Sequence, residues 1–381
     1  MLRTDQQIRE AAARFIATLP HQQTPFSKRN WGTPLHSLCS YRGKLKPSIA
    51  HFLIREFTDR DQVVLDPFSG VGTIPLEARL QGRNAIASDL SPLAYIVSFA
   101  KVANLTQSAV DASMRRLSES LSDLVAPEIP DGFGLNGPVS SYFHEDTLTE
   151  IATARHHFLR LRSDDSLVGA DAFVEANLLH ILHGNRPYAL SRRSHPLTPY
   201  SPSGPFEYKS VMQHLSKRIA RLAPLSIELG NSTPEGRAIQ TDFRRIDIDD
   251  SSVDCVITSP PFSDSFRFWS TNWLRLWFAG WEPEDFRSEP GAYLESEQKA
   301  SFSVYSTFFS AMADKLRPGG LMILHLGAGP NQSMADAIVP YISEHFDSVY
   351  LGSESVQGGE TLGLRDHGST QAHNYLFLIR R

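Results

Sequence analysis

The chain has 381 residues, 41% apolar and 21% charged, with a formal net charge of −5. That length suits one large domain or two modest ones, and the mild acidity excludes a protein that coats nucleic acid by bulk charge, though not one with a local basic face. Two distant cysteines (Cys39 and Cys255), a polar N-terminus and no bilayer-length apolar run argue against a disulfide framework, a metal centre, a signal peptide and a membrane span; a cytoplasmic protein is expected.

In chain order, residues 5–19 read as a short helix stopped by Pro20, and the Pro/Gly-punctuated residues 24–47 as an ordered arm. Residues 62–65 form a buried strand, and 74–81 a helix closed by Gly82, a good C-cap residue. Residues 84–88 form a second strand. Ser91-Pro92 then opens a helix, with Ser as N-cap and Pro at the first position. This alternation implies parallel strands in a doubly wound sheet. Between about 104 and 236 the pattern breaks. Residues 111–124, 148–161 and 208–222 read as helices, and no convincing strand occurs. Strand signals resume at 237–240, 253–257 and 321–325, and two late runs, 348–351 and 374–379, suggest a terminal antiparallel hairpin. The organisation expected is an N-terminal helix and arm (1–35), one α/β domain (36–103 and 237–381) and a mostly helical insertion (104–236).

Asp66-Pro67-Phe68-Ser69-Gly70-Val71-Gly72-Thr73 sits at the first strand-to-helix switch. Its two glycines allow close backbone approach to a ligand, and the following helix offers free N–H groups to a carboxylate. Asp89 ends the next strand about twenty residues on, where an acid accepts from ribose hydroxyls in dinucleotide sites. Leu90 beside it is placed to pack on an adenine. A plain tight turn would also use a Gly-x-Gly. The run is no phosphate loop, because Gly-Lys-Ser/Thr is missing.

The second signal is Thr258-Ser259-Pro260-Pro261-Phe262, directly after the 253–257 strand. Two prolines stiffen the backbone and remove both N–H groups. What remains is a rigid corner of acceptors, the Ser259 hydroxyl and the backbone carbonyls, beside an aromatic ring. Such a corner suits an NH₂ group, taking its two hydrogens and directing its lone pair at a methyl donor, while Phe262 stacks on the base. A base inside a duplex must be flipped out to reach it.

These two runs resemble motifs I and IV of the S-adenosylmethionine-dependent DNA amino-methyltransferases, which act on cytosine N4 or adenine N6. The resemblance implies a Rossmann-like fold with a mixed sheet of about seven strands. It implies S-adenosylmethionine as cofactor, its methionine part lined by Asp66, Pro67, Phe68, Gly70, Gly72 and Thr73, with Asp89 as the ribose acid. Serine at the head of Ser-Pro-Pro-Phe is similar to the cytosine-N4 branch, with adenine N6 as the alternative. Thr241-Asp242-Phe243 stands where the family's third motif has an acid; Asp242 would accept from the adenine amine and Phe243 pack on the ring, or Asp242 would cap the strand end. Tyr41-Arg42-Gly43-Lys44 resembles motif X, which puts Tyr41 and Lys44 at the methionine end, a surface turn being the other reading. Cytosine C5 chemistry needs a thiolate at the corner, and Cys255 lies inside the strand.

The insertion is where target recognition is expected. From residue 180 to 224 seven basic residues face one acid, with Tyr188, Tyr200, Phe206 and Tyr208 among them. Arg186, Arg192, Arg193 and Lys209 are the candidate DNA contacts, unless the run is a solvated face. Trp269, Trp273, Trp277 and Trp281 recur every four residues and read as a helix stripe packed on the core. The run 364–368 is a further candidate for the target pocket. DNA is the partner implied, with room for a cognate restriction enzyme. Rival readings are an RNA base methyltransferase, for which about 60 residues ahead of motif I leave little space for an RNA-binding domain, and a cofactor-binding regulator without catalysis.

Overall fold

The computed structural model describes residues 4–28, 31–41, 43–123, 129, 132–135, 137–184, 188–193, 201–262, 268–329, 333–342, 344–355 and 370–381. Its strands are β1 (Val63–Asp66), β2 (Asn84–Asp89), β3 (Arg237–Gln240), β4 (Val253–Thr258), β5 (Leu316–Ala328), β6 (Phe346–Ser355) and β7 (Ala372–Arg380). They form one seven-stranded sheet in the order β3-β2-β1-β4-β5-β7-β6. The first five strands pair in parallel, and β7 runs antiparallel between β5 and β6. This is the Rossmann-like mixed α/β sheet that the strand pattern implies, and its last two strands make the expected hairpin.

The buried strands alternate between two apolar clusters, as a period of two requires. Leu65, Val256, Leu376 and Leu378 enter one, while Val64, Cys255, Ile257, Tyr375 and Phe377 enter the other. Leu65 lies opposite both Ile86 and Val256. The carboxyl ends of β2, β1 and β4 therefore emerge side by side. Between β1 and β4 the strand order reverses, the place where open α/β sheets form a ligand crevice.

The helices of the first part are α1 (Asp5–Thr18), α2 (Pro47–Phe57), α3 (Thr73–Leu80) and α4 (Pro92–Val102). A capping box starts α1: the Gln7 N–H donates to the Thr4 hydroxyl at 3.3 Å, and the Thr4 N–H donates to Gln7 at 2.9 Å. Helix α2 is absent from the sequence expectation. Pro47 reads as the end of the arm, but here it occupies the first turn of a helix, where a missing N–H costs nothing.

Residues 104–236 supply α5 (Gln107–Ser122), α6 (Glu145–Ser163), α7 (Gly169–Leu182) and α8 (Val211–Ser232). They share one apolar core with α4 and with Trp273, Trp277 and Phe278. Helix α7 is the second unexpected element. It is buried all round, so no polar face reveals its period. Helix α8 continues ten residues past the expected stop, through Pro224, whose exposed side leaves the freed carbonyl to water. The tryptophan stripe is interrupted at Asn272, between α9 (Phe268–Thr271) and α10 (Trp273–Phe278). Trp273, Trp277 and Trp281 are buried as expected, and Trp269 stacks on Trp281 with centroids 5.5 Å apart.

Candidate functional site

The glycine loop is built on two left-handed residues, Gly70 at φ +49° and Gly72 at φ +67°. Both conformations cost most residues energy and glycine little. At Gly72 there is no space either: a Cβ would lie 3.1 Å from the Ser98 Cα, so α4 packs directly on the loop. The Gly70 N–H donates to Asp89 Oδ2 at 2.8 Å, and the Ser91 N–H donates to Oδ1 at 2.9 Å. Asp89 thus ties the end of β2 to the loop while keeping lone pairs for further donors. Leu90 is partly buried beside it.

Asp66, at the end of β1, accepts from the Thr258 hydroxyl at 2.7 Å and from the Phe68 N–H at 3.3 Å. Burial pushes the Asp66 carboxyl up to about 7 and that of Asp89 to about 6. Glu295 reaches about 7 for the same reason and feels the charge of Asp89. Thr73, in the first turn of α3, has a buried hydroxyl with no partner among the described residues. Buried acids around a positive-φ glycine loop, with an orphaned hydroxyl at a helix start, fit a ligand that brings hydroxyl donors, a carboxylate and positive charge.

Tyr41 lies over the loop: a Cβ on Gly70 would sit 3.7 Å from its ring. The arm that carries it is fixed to α3 by a buried cluster. His36 Nε2 is 2.7 Å from one oxygen of Glu77, and His51 Nδ1 is 3.0 Å from the other. Lys44 donates to the His36 carbonyl at 3.0 Å, which makes it part of this anchor. At the third motif the structure shows what holds the two candidate residues. Asp242 caps the following turn, accepting from the Arg244 N–H at 2.8 Å and the Arg244 guanidinium at 3.0 Å, and like Asp89 it keeps lone pairs for a further donor. The Phe243 ring is buried, 5.5 Å from Phe68 and 5.6 Å from Phe308. Phe68 likewise packs on Phe308, at 5.4 Å. Phe243 is thus part of the core, while Phe68 stays partly exposed at the loop.

The Ser-Pro-Pro-Phe corner follows β4 beside this loop, joined to it by the Thr258–Asp66 bond. Ser259 Oγ lies 3.0 Å from His325 Nδ1 on β5. Gln298, on α12 (Leu294–Ala300, after α11, Asp285–Ser288), donates to the Pro261 carbonyl at 3.0 Å and accepts from the Tyr305 hydroxyl at 3.1 Å. None of the described residues donates to the Pro260 carbonyl. Phe262 is half-buried against β5, where a Cβ on Gly327 would come within 2.7 Å of its ring. Cys255 is buried in β4, away from the corner's surface.

His325, Gln298 and Glu295 escaped the sequence reading. Each sits far along the chain from the residue it serves, and no local pattern marks it. One signal was available: Gly327 stands inside β5 where the run of large side chains ends, and a glycine in a strand often means close approach by another group.

The basic run behaves differently from its composition. Arg192 donates to the Ser141 carbonyl at 2.9 Å and to the Gly204 carbonyl at 2.9 Å, with its guanidinium 4.0 Å from the Phe206 ring centroid. Lys209 donates to the Ala189 and Ser191 carbonyls at 2.7 and 2.8 Å. Arg218 is buried and donates to the Ser37 and Leu38 carbonyls. Three of the seven charges, Arg192 and Lys209 among them, therefore bond to backbone carbonyls of the fold. Arg193, Lys217 and Arg221 are exposed. Arg186, Arg42, Tyr200 and the run 364–368 lie outside the described residues. Among the described residues, no cluster of potential metal ligands occurs, and no helix is long and apolar enough to cross a membrane.

Residues 36–97, which carry Tyr41, the glycine loop and Asp89, match the family described as DNA methylase. A curated relative, the type II methyltransferase M.MjaII of Methanocaldococcus jannaschii, is 26% identical over 68 residues, covering 18% of this chain and 13% of its own length. Among solved structures, TrmN from Thermus thermophilus aligns at 14% identity and a TM-score of 0.37, covering 91% of this chain and 52% of that one. The rRNA methyltransferase aviRa from Streptomyces viridochromogenes aligns at 12% identity and a TM-score of 0.31, covering 90% and 88%. The family match supports S-adenosylmethionine as the ligand that the buried acids and glycine loop fit.

Proposed function

We propose, on the premise that residues 36–97 belong to the DNA methylase family, that the whole chain is an S-adenosylmethionine-dependent methyltransferase. Its substrate is the exocyclic amine of a flipped DNA base, cytosine N4 ahead of adenine N6. The observation that carries this reading is the junction of the two loops: Thr258, at the head of the acceptor corner, is bonded at 2.7 Å to Asp66, at the head of the glycine loop. An amine held at one is brought beside a ligand held at the other.

When bound, the cofactor supplies an electrophilic methyl group on a sulfonium. Asp89 would accept from its ribose hydroxyls, and the Gly70–Gly72 loop with the start of α3 would hold its methionine end. The corner does the rest. The Ser259 hydroxyl oxygen and the Pro260 carbonyl accept the two amine hydrogens, which turns the nitrogen lone pair outward. Phe262 stacks on the base, and Gln298 keeps the Pro261 carbonyl from drifting. No enzyme nucleophile is involved: the nitrogen would take the methyl as its bond to sulfur breaks and would then release one amine proton to solvent, so catalysis rests on positioning and on fixed dipoles that meet charge developing on the nitrogen. Serine at the corner's head favours cytosine N4.

Residues 104–236 serve as the target-recognition region. Its phosphate contacts fall to the exposed Arg193, Lys217 and Arg221, and to Arg186. The test is transfer of labelled methyl from S-adenosylmethionine to duplex DNA and to RNA of matching sequence. Label in DNA supports the reading; label in RNA alone replaces it with RNA base methylation, and label in neither removes the activity.

A further inference from the structure

Ser259 is the first member of a buried polar chain that runs across three strands. His325, its partner, is 4% exposed, and its buried Nε2 has no hydrogen-bond partner among the described residues. The His373 ring on β7 lies 4.5 Å from the His325 ring. His373 Nδ1 is 3.5 Å from Glu354 Oε1 on β6, and His21 Nε2 is 2.7 Å from Glu354 Oε2. The Tyr375 hydroxyl donates to that same oxygen at 3.1 Å. Burial works to raise the Glu354 carboxyl, but the bonds from His21 and His373 outweigh it and hold the group ionised. Burial, with His373 and His21 adding to it and the Glu354 charge opposing it, holds His325 neutral.

A neutral imidazole carries one hydrogen, and its placement decides what Ser259 can do. If Nδ1 donates, the Ser259 hydroxyl hydrogen is left pointing at the amine, donor against donor. If Nδ1 accepts, that hydrogen is taken up and the Oγ lone pairs face outward. Pro260 and Pro261 have no N–H to compete for them. The same ring packs 5.8 Å from Phe262, so one side chain touches both the acceptor and the stacking platform of the corner.

We propose that His325 is a positioning residue: it accepts the Ser259 hydroxyl hydrogen on Nδ1, fixes Oγ as an acceptor for the target amine and steadies Phe262. What Ser259 touches rests on the methyltransferase reading, whereas the pairing belongs to the free protein. The closing experiment therefore has two arms. In the full chain labelled with ¹⁵N-histidine, nuclear magnetic resonance at neutral pH should find His325 as the Nε2–H tautomer, with an Nδ1 signal that moves in Ser259→Ala. An Nδ1–H tautomer, or an Nδ1 signal indifferent to Ser259→Ala, overturns the proposal. In the second arm, His325→Phe should lower kcat by roughly three- to tenfold, the range of one neutral hydrogen bond. KM for DNA, cofactor affinity and melting temperature should stay near wild type. His325→Asn keeps an acceptor at the position of Nδ1 and should recover most of the loss. Equal losses in both variants, or a loss confined to KM, overturn it too. A wild-type protein that methylates no nucleic acid would instead sink the methyltransferase reading, and the tautomer would still decide the pair.

Discussion

The carboxyl edge of the sheet and the basic run of the insertion looked equally functional, yet the structure treats them in opposite ways. At the sheet edge, rare residue types occupy positions that only they can fill. Gly70 and Gly72 adopt left-handed conformations, and two prolines leave a corner with acceptors alone. In the insertion the signal was composition, and a count of charges does not say where each charge points. Arg192, Lys209 and Arg218 all turn inward to backbone carbonyls. A motif constrains geometry, whereas a charge run constrains only the sum.

The largest expected effect lies at the sheet edge. Gly70→Asp would force a side chain into a left-handed backbone and set a second carboxylate beside Asp89. Cofactor binding should be lost by calorimetric titration while the fold survives; unchanged affinity would mean that the loop is only a turn. In the insertion, Lys209→Ala should cost about 1–3 kcal/mol of stability by leaving the buried Ala189 and Ser191 carbonyls unpaired, and Arg192→Ala less, because water can replace it at the exposed Gly204 carbonyl, both read from denaturant unfolding. Lys217→Ala and Arg221→Ala should leave stability alone and each lower the salt slope of DNA binding by about 1. The reverse pattern, with stable Arg192 and Lys209 variants that have flattened slopes, would restore the compositional reading.

A smaller effect concerns pH. Asp66 and Asp89 titrate at about 7 and about 6 in the folded protein, above their ordinary 3.8. A raised acid contributes stability that is full below its unfolded pKa and lost as pH rises through the folded one. These two groups should therefore make the ligand-free protein progressively less stable as pH rises from about 4 to about 7. A ligand that donates hydrogen bonds to the ionised carboxylates should bind more tightly across the upper half of that window. Titration at several pH values checks this, and affinity that falls with rising pH would remove Asp89 from the site. The smallest change expected is for Gln298→Leu, which frees the Pro261 carbonyl: turnover should fall a few-fold, the value of one neutral hydrogen bond, with cofactor affinity intact.

Much of the fold was legible because strands and caps leave local signatures. The parallel strands, the Ser91-Pro92 helix start and the terminal hairpin all stand where the residues indicated. Helices α2 and α7 were hidden for physical reasons. Pro47 breaks a helix interior but suits its first turn, and α7 lies in the core with no polar face. The site was half legible. Asp66, Asp89 and Ser259 could be named because each ends a strand beside a turn motif. Their partners could not, since only the sheet order brings Thr258 to Asp66 and His325 to Ser259. At Asp242 and Phe243 the residues left two readings open, because an aromatic and an acid at a strand end serve packing and capping as readily as ligand binding.

The most direct test of the central claim is mass analysis of the nucleosides in DNA from a host expressing the chain, beside the Phe262→Ala variant. The account predicts N4-methylcytosine in the wild-type sample. It predicts a marked reduction in the variant, whose lost stacking is worth about 1–3 kcal/mol, with N6-methyladenine correcting the base and keeping the chemistry. Appearance of 5-methylcytosine, or equal methylation with and without the Phe262 ring, would contradict it.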